Sequence, residues 1–172
     1  MTRSRLRIAY PLSSMLLCVA IPVRAQALPD WVAVDSAAHR VVLTLVAAEG
    51  PEPGTATISG HRAGDVQLVI PQGWTVQWNW RNADTTQSHS LVVMAEREKL
   101  PPEGGQPAID GALSRMVKVG LKAGQKDEAT FVAEPGGWYW LLCGVPGHAL
   151  EGEWIGLRVN SAAVMVSVKL KN

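Results

Sequence analysis

From Trp31 onward the apolar residues come in short runs separated by turn signals, and no long segment carries them at the spacing of a buried helix face. The clearest run is 75–82, where Val76, Trp78 and Trp80 alternate with Gln77, Asn79 and Arg81. Alternation of period two predicts a strand with one face in the core and one in water. Similar runs predict strands over 41–48, 57–59, 66–70, 90–95, 116–119, 128–133, 137–142 and 154–159. In the tail 163–170, Val164, Val166, Val168 and Leu170 share one face and predict an added last strand.

The stretches between these runs are rich in proline, glycine and polar residues. GPEPGTA reads as a loop, HRAGD as a turn, residues 71–73 as a break, and EPGG at 134–137 as a hairpin turn. The long polar segment 96–114, EREKLPPEGGQPAIDGALS, predicts an excursion over the surface. Eight or more short strands at this spacing predict an all-β Greek-key sandwich. No internal repeat or low-complexity stretch interrupts it.

Composition adds an address. The chain has 172 residues, enough for one domain with its own core. It begins with the basic segment MTRSRLR, continues through an apolar stretch over 9–23 and reaches AQA at 25–27, a small-x-small cleavage pattern. These features predict a secretory signal peptide over 1–27 and a mature domain over 28–172, hence a periplasmic or secreted protein. The apolar part is short and broken by Pro11, Ser13 and Ser14, so it makes a poor membrane span; an uncleaved anchor is the alternative. Leu17 before Cys18 is a poor match to a lipid-attachment pattern. Cleavage would remove four arginines and leave 12 basic against 15 acidic residues, which provides no basic patch for nucleic acid. It would also remove Cys18, leaving Cys143 as a lone thiol in an exported chain. Such a thiol points to a bound metal or a partner cysteine.

The surroundings of Cys143 favour the metal. Four residues, GVPG, separate it from His148, and their glycines and proline favour a tight turn that can aim both side chains at one ion. A thiolate with an imidazole suits copper or zinc, and a His2Cys set with a weak axial ligand is the arrangement of blue-copper sites. That set needs a second histidine. His89 is the best candidate, since it follows the polar loop NADTTQS and opens an apolar segment, whereas His39 and His61 have no partner pattern and read as surface residues. The seven tryptophans read as core and sheet-packing residues rather than relays.

The HSLVV core within 82–94 and the CGVPGHAxxGxW pattern within 136–159 resemble the sulfocyanin-like blue copper proteins of the cupredoxin superfamily, with looser similarity over about 38–160. The resemblance implies a cupredoxin-like sandwich in which His89 comes from one strand end, and Cys143 with His148 from the loop between the last two core strands. It implies one copper ion cycling between Cu(I) and Cu(II), single-electron exchange with redox partner proteins such as a cytochrome or oxidase, and no catalysis. Ser90 matches a position that ties the ligand strand to the cysteine loop. Val145, Pro146, Ala149 and Leu150 match an apolar docking patch around His148. The chain departs from the family where a methionine would follow the loop glycine: here Gly152 is followed by Glu153, which offers the axial position a carboxylate. A Glu153 that swings into solvent is the competing expectation there. The expected molecule is a monomer. A copper carrier, or a red-copper module with catalytic or sensing chemistry, is the alternative on the same fold, and a metal-free interaction domain is disfavoured by the ligand set.

Overall fold

The computed structural model describes residues 27–49 and 55–171. The leader expected over 1–27, Ala27 apart, lies outside the described residues, as does most of the GPEPGTA loop. The described chain forms nine strands and no helix: β1 (Val32–Asp35), β2 (Arg40–Ala47), β3 (Val66–Pro71), β4 (Thr75–Asn82), β5 (Val92–Ala95), β6 (Lys126–Val132), β7 (Gly137–Leu142), β8 (Trp154–Asn160) and β9 (Ser167–Leu170). They assemble into two sheets, one ordered β1-β2-β4-β6 and the other β5-β7-β8-β3-β9. In each sheet one pair is parallel, β2 with β4 and β3 with β8. A parallel pair cannot be joined by a tight hairpin, so the chain crosses to the opposite sheet between its members. The result is a Greek-key β-sandwich.

The core lies between the sheets. Leu43 and Leu45 of β2 and Trp78 and Trp80 of β4 face Leu68 and Ile70 of β3, Leu141 of β7, and Ile155 and Leu157 of β8 in one buried cluster. Trp78 meets Phe131 edge to face, with ring centroids 5.3 Å apart. Truncating so large a buried ring costs ~3–5 kcal/mol. The alternation in β4 is as the pattern predicts: Val76, Trp78 and Trp80 are buried, while Arg81 on the other face is exposed.

Several expectations need correction. EPGG does not close a hairpin, because β6 and β7 lie in different sheets and the segment carries the chain across the sandwich. Residues 116–119 form a turn closed by Gly120 N–H donating to Met116 O at 2.7 Å, with Met116 itself at φ 53°, and the run has no strand to pair with. Residues 57–59 contribute only isolated bridges of Ile58 with Ala47 and His61. The 96–114 segment is not merely superficial, since Ile109 and Ala112 enter the main core. In the tail, Val166 and Val168 are buried but Val164 and Leu170 are exposed. Trp138 is also on the surface, 49% exposed, with the Arg158 guanidinium 4.4 Å from its ring centroid.

Candidate metal centre

At one end of the sandwich His89, Cys143, His148 and Glu153 converge, each offering a ligand atom within 4.8 Å of the others, and all four are buried. Three come from one loop. Cys143 directly follows β7, and its N–H donates to Glu153 O at 3.0 Å; Glu153 N–H in turn donates to His148 O at 3.0 Å, just before β8 begins. The loop is thus cross-linked by its own backbone between two neighbouring strands. Gly152, at φ 106°, holds a left-handed conformation that a side chain would resist, and the Arg62 guanidinium braces the adjacent carbonyl of Glu151 at 2.6 Å. His89 arrives from the loop between β4 and β5. It is pinned by a two-way backbone pairing with Leu121, N–H to O at 3.1 and 2.7 Å.

Ser90 joins the two halves. Its N–H donates to Cys143 Sγ at 3.4 Å, its hydroxyl accepts from Gly144 N–H at 2.9 Å, and the same hydroxyl donates to Val117 O at 2.5 Å. These hydrogen bonds run from Ser90 to Cys143, to Gly144 and to the segment that holds Val117. The polar excursion over 96–114 also walls the site: Gly104 N–H donates to Gly144 O at 2.9 Å, and Gly147 N–H to Pro102 O at 2.8 Å. A side chain on Gly144 would meet Val117 O at 3.0 Å, so the close approach requires glycine there.

Glu153 is fully buried and turned into the cluster, which overturns the solvent-facing expectation. Its Oε2 lies 2.8 Å from His89 Nδ1 and 3.1 Å from His148 Nδ1, whereas Oε1 is buried with no hydrogen-bond partner among the described residues. A buried carboxylate oxygen left unpaired is costly, and a cation in contact with it removes the cost. Cys143 Sγ lies 3.5 Å from His148 Nδ1. Burial, and then the Glu153 charge, push the Cys143 thiol well above its ordinary range. The same carboxylate acts oppositely on His89: burial opposes its protonation, but the hydrogen bonds and charges of Glu153 and Asp84 raise its pKa. Two imidazoles, a thiol sulfur and a carboxylate aimed at one point fit a copper ion.

Asp84 went unnoticed in the sequence, where it is one polar residue in NADTTQS. Its Oδ2 receives His89 Nε2 at 3.2 Å, on the far side of the ring from the cluster. Burial works against its ionisation, yet hydrogen bonds from the Thr86 side chain and backbone, from His89 and from Gln87 lower its pKa from 3.8 to about 2. The available signal was the Asp-x-Thr spacing, which favours a local turn capped by the aspartate.

The expected rim is only partly at the surface. Pro146 and Leu150 are exposed, Leu150 by 60%, and Val145 is half-buried. Ala149 is not part of it: it is fully buried and packs with Val92, Trp140 and Leu142. His39 is exposed and stacks on Trp74 with centroids 5.4 Å apart, and His61 is partly exposed 3.5 Å from Asp65, so neither approaches the cluster.

The family model described as "Sulfocyanin (SoxE) domain" matches residues 30–169. The chain is 26% identical over 128 residues to the sulfocyanin of Sulfolobus acidocaldarius, covering 70% of this chain and 63% of that protein, so it spans less than two thirds of the relative's length. Among solved structures, dithionite-reduced auracyanin from Roseiflexus castenholzii matches with a TM-score of 0.50 at 20% identity, over 69% of this chain and 96% of that one. Auracyanin A, a "blue" copper protein from Chloroflexus aurantiacus, gives 0.50 at 20% identity, over 70% and 99%. The likeness to both auracyanins lies in the fold.

Proposed function

The chain belongs to the sulfocyanin (SoxE) family, and on that premise we propose that it is an exported, single-domain electron carrier in which His89, Cys143, His148 and Glu153 hold one copper ion. The observation that carries the reading is the convergence of these four buried side chains, with Glu153 Oε1 unpaired, at the end of a cupredoxin sandwich. Blue copper proteins are electron carriers in general rather than catalysts, and copper would supply the one-electron Cu(II)/Cu(I) couple. The mature domain is expected over 28–172 as a monomer, with redox proteins such as a cytochrome or oxidase as partners.

What the chain contributes is rigidity, dryness and an outlet. Cys143 and Glu153 are bonded through their backbones, and Ser90 fixes the sulfur from the opposite side, so the donor atoms have little freedom to rearrange between redox states. Burial of all four side chains keeps water from the donors. His148 is the ligand with the most exposed side chain, at 10%, and Pro146 and Leu150, two residues to either side of it in the loop, are exposed and uncharged. A partner that docks there approaches the site through the imidazole edge.

Glu153 favours a second reading on the same fold. A hard anionic oxygen prefers Cu(II) to Cu(I), which suits a copper carrier or a red-copper module as well as a low-potential shuttle. Visible and paramagnetic resonance spectra of the copper form test the site: an intense thiolate-to-copper band that disappears in Cys143→Ser supports it, and a band that survives the substitution refutes it. Stopped-flow exchange with a cytochrome then separates shuttle from carrier, since a carrier shows no exchange faster than copper release.

A further inference from the structure

We propose that Asp84 is the positioning residue of this centre: by accepting the Nε2 proton of His89 it turns Nδ1 toward the other donors and biases the site toward the oxidised ion. The proposal rests on the copper reading above and assigns a role to a residue outside the ligand set.

A neutral imidazole has one N–H and one lone pair, so whichever nitrogen keeps the proton leaves the other to bind. In this chain the ring is set between two carboxylates, with Nε2 3.2 Å from Asp84 Oδ2 and Nδ1 2.8 Å from Glu153 Oε2. The Nδ1 side meets Glu153 Oε2, the atom that also lies 3.1 Å from His148 Nδ1, whereas Nε2 meets Asp84. Keeping the proton on Nε2 therefore selects the tautomer that can bind.

Asp84 is itself immobilised. Its Oδ1 accepts from Thr86 N–H at 2.7 Å, the Thr86 hydroxyl at 2.6 Å and Gln87 N–H at 3.2 Å, which leaves Oδ2 for His89 alone. The turn is anchored in its place by Asn82, whose Oδ1 accepts Asp84 N–H at 2.8 Å and whose amide donates to Gln87 O and Leu121 O at 2.8 and 2.7 Å. Leu121 is the residue that pairs with the His89 backbone, so the network fixes ring and main chain together. A buried carboxylate on the remote nitrogen makes the near one a stronger donor, and loss of such a partner lowers metal affinity by about 10–100-fold. A stronger, harder donor set favours Cu(II) over Cu(I).

The test compares Asp84→Asn with wild type and with Thr86→Val. Asparagine keeps an oxygen for the turn but offers His89 no anion; Asp84→Ser, too short to reach the ring, gives the same answer should the amide disturb the loop. Chelator competition is expected to show Cu(II) binding weakened 10–100-fold and Cu(I) binding nearly unchanged. The potential then rises by about 59 mV for each tenfold. Thr86→Val, which loosens the turn but keeps the carboxylate, should move the potential far less. In the diamagnetic Cu(I) form and in the metal-free chain, the His89 Nε2 proton should give a slowly exchanging resonance that Asp84→Asn removes. An unchanged potential and affinity ratio in both Asp84 variants overturns the proposal, and so does a Thr86→Val shift as large as theirs. Failure of the wild type to bind copper would sink the copper reading instead, and the resonance in the metal-free chain would still decide whether Asp84 holds the proton.

Discussion

Glu153 Oε2 lies 2.8 Å from His89 Nδ1 across a separation of 64 residues, both side chains being almost entirely withdrawn from water. The contact brings a carboxylate into the cluster directly after Gly152, where the resemblance seen in the sequence implies a methionine. Its consequences should appear in the redox potential before they appear in the fold.

Replacing Glu153 with methionine or glutamine removes the anionic oxygen while keeping most of the volume. If the carboxylate favours Cu(II) by about two decades in binding, both variants raise the reduction potential by roughly 120 mV and shift the visible spectrum. Protein-film voltammetry reads this directly. A Glu153→Gln protein identical to wild type in both potential and spectrum would show that the carboxylate does not bind.

Cys143 sets a pH dependence in the metal-free chain. Burial and the Glu153 charge raise its folded pKa above the ordinary 9.0, so the folded chain keeps the proton where the unfolded chain loses it. The stabilisation is complete below about pH 9 and is lost as pH climbs beyond it, by up to about 1.4 kcal/mol per pH unit. Denaturant unfolding between pH 8 and 10.5 should show this slope, and Cys143→Ser should flatten it.

At the surface, Leu150→Lys should slow exchange with a partner protein while the copper spectrum stays the same, because the side chain is exposed and is not one of the four donors. Ala149→Asp is expected to behave differently. It buries an unpaired charge among Val92, Trp140 and Leu142 and should destabilise by at least ~3 kcal/mol. Thermal unfolding and stopped-flow rates separate the two effects, and equal rates for wild type and Leu150→Lys would place the exchange route elsewhere.

Gly144→Ala tests the wall around the site. The added methyl would press on Val117 and its carbonyl and loosen the bond from Gly144 N–H to the Ser90 hydroxyl. We expect a loss of ~1–3 kcal/mol together with a changed thiolate-to-copper band. A loss of stability with an unchanged band would mean that Ser90 fixes the sulfur without help from Gly144.

The sequence by itself determined what depends on neighbours in the chain. Period-two alternation in 75–82 marks β4 because side chains of a strand point alternately to core and solvent. The Cys143-GVPG-His148 spacing marks a metal loop because a short glycine and proline turn can aim two donors at one point. The order along the chain also set Glu153 one residue beyond Gly152. Tertiary structure decided the rest. Whether EPGG closes a hairpin or crosses between sheets depends on which distant strands pair, and extending a loop costs too little chain entropy to reveal that choice locally. Ala149 and Leu150 are adjacent and both apolar, yet one packs under Trp140 and the other faces water, because the loop's turn sends them in opposite directions. Asp84 is an ordinary turn aspartate in the sequence; the hydrogen bonds of Asn82, Thr86 and Gln87 aim its second oxygen at His89. That direction exists only once β4, the turn and the Leu121 segment have come together, since each supplies one of the contacts that hold it.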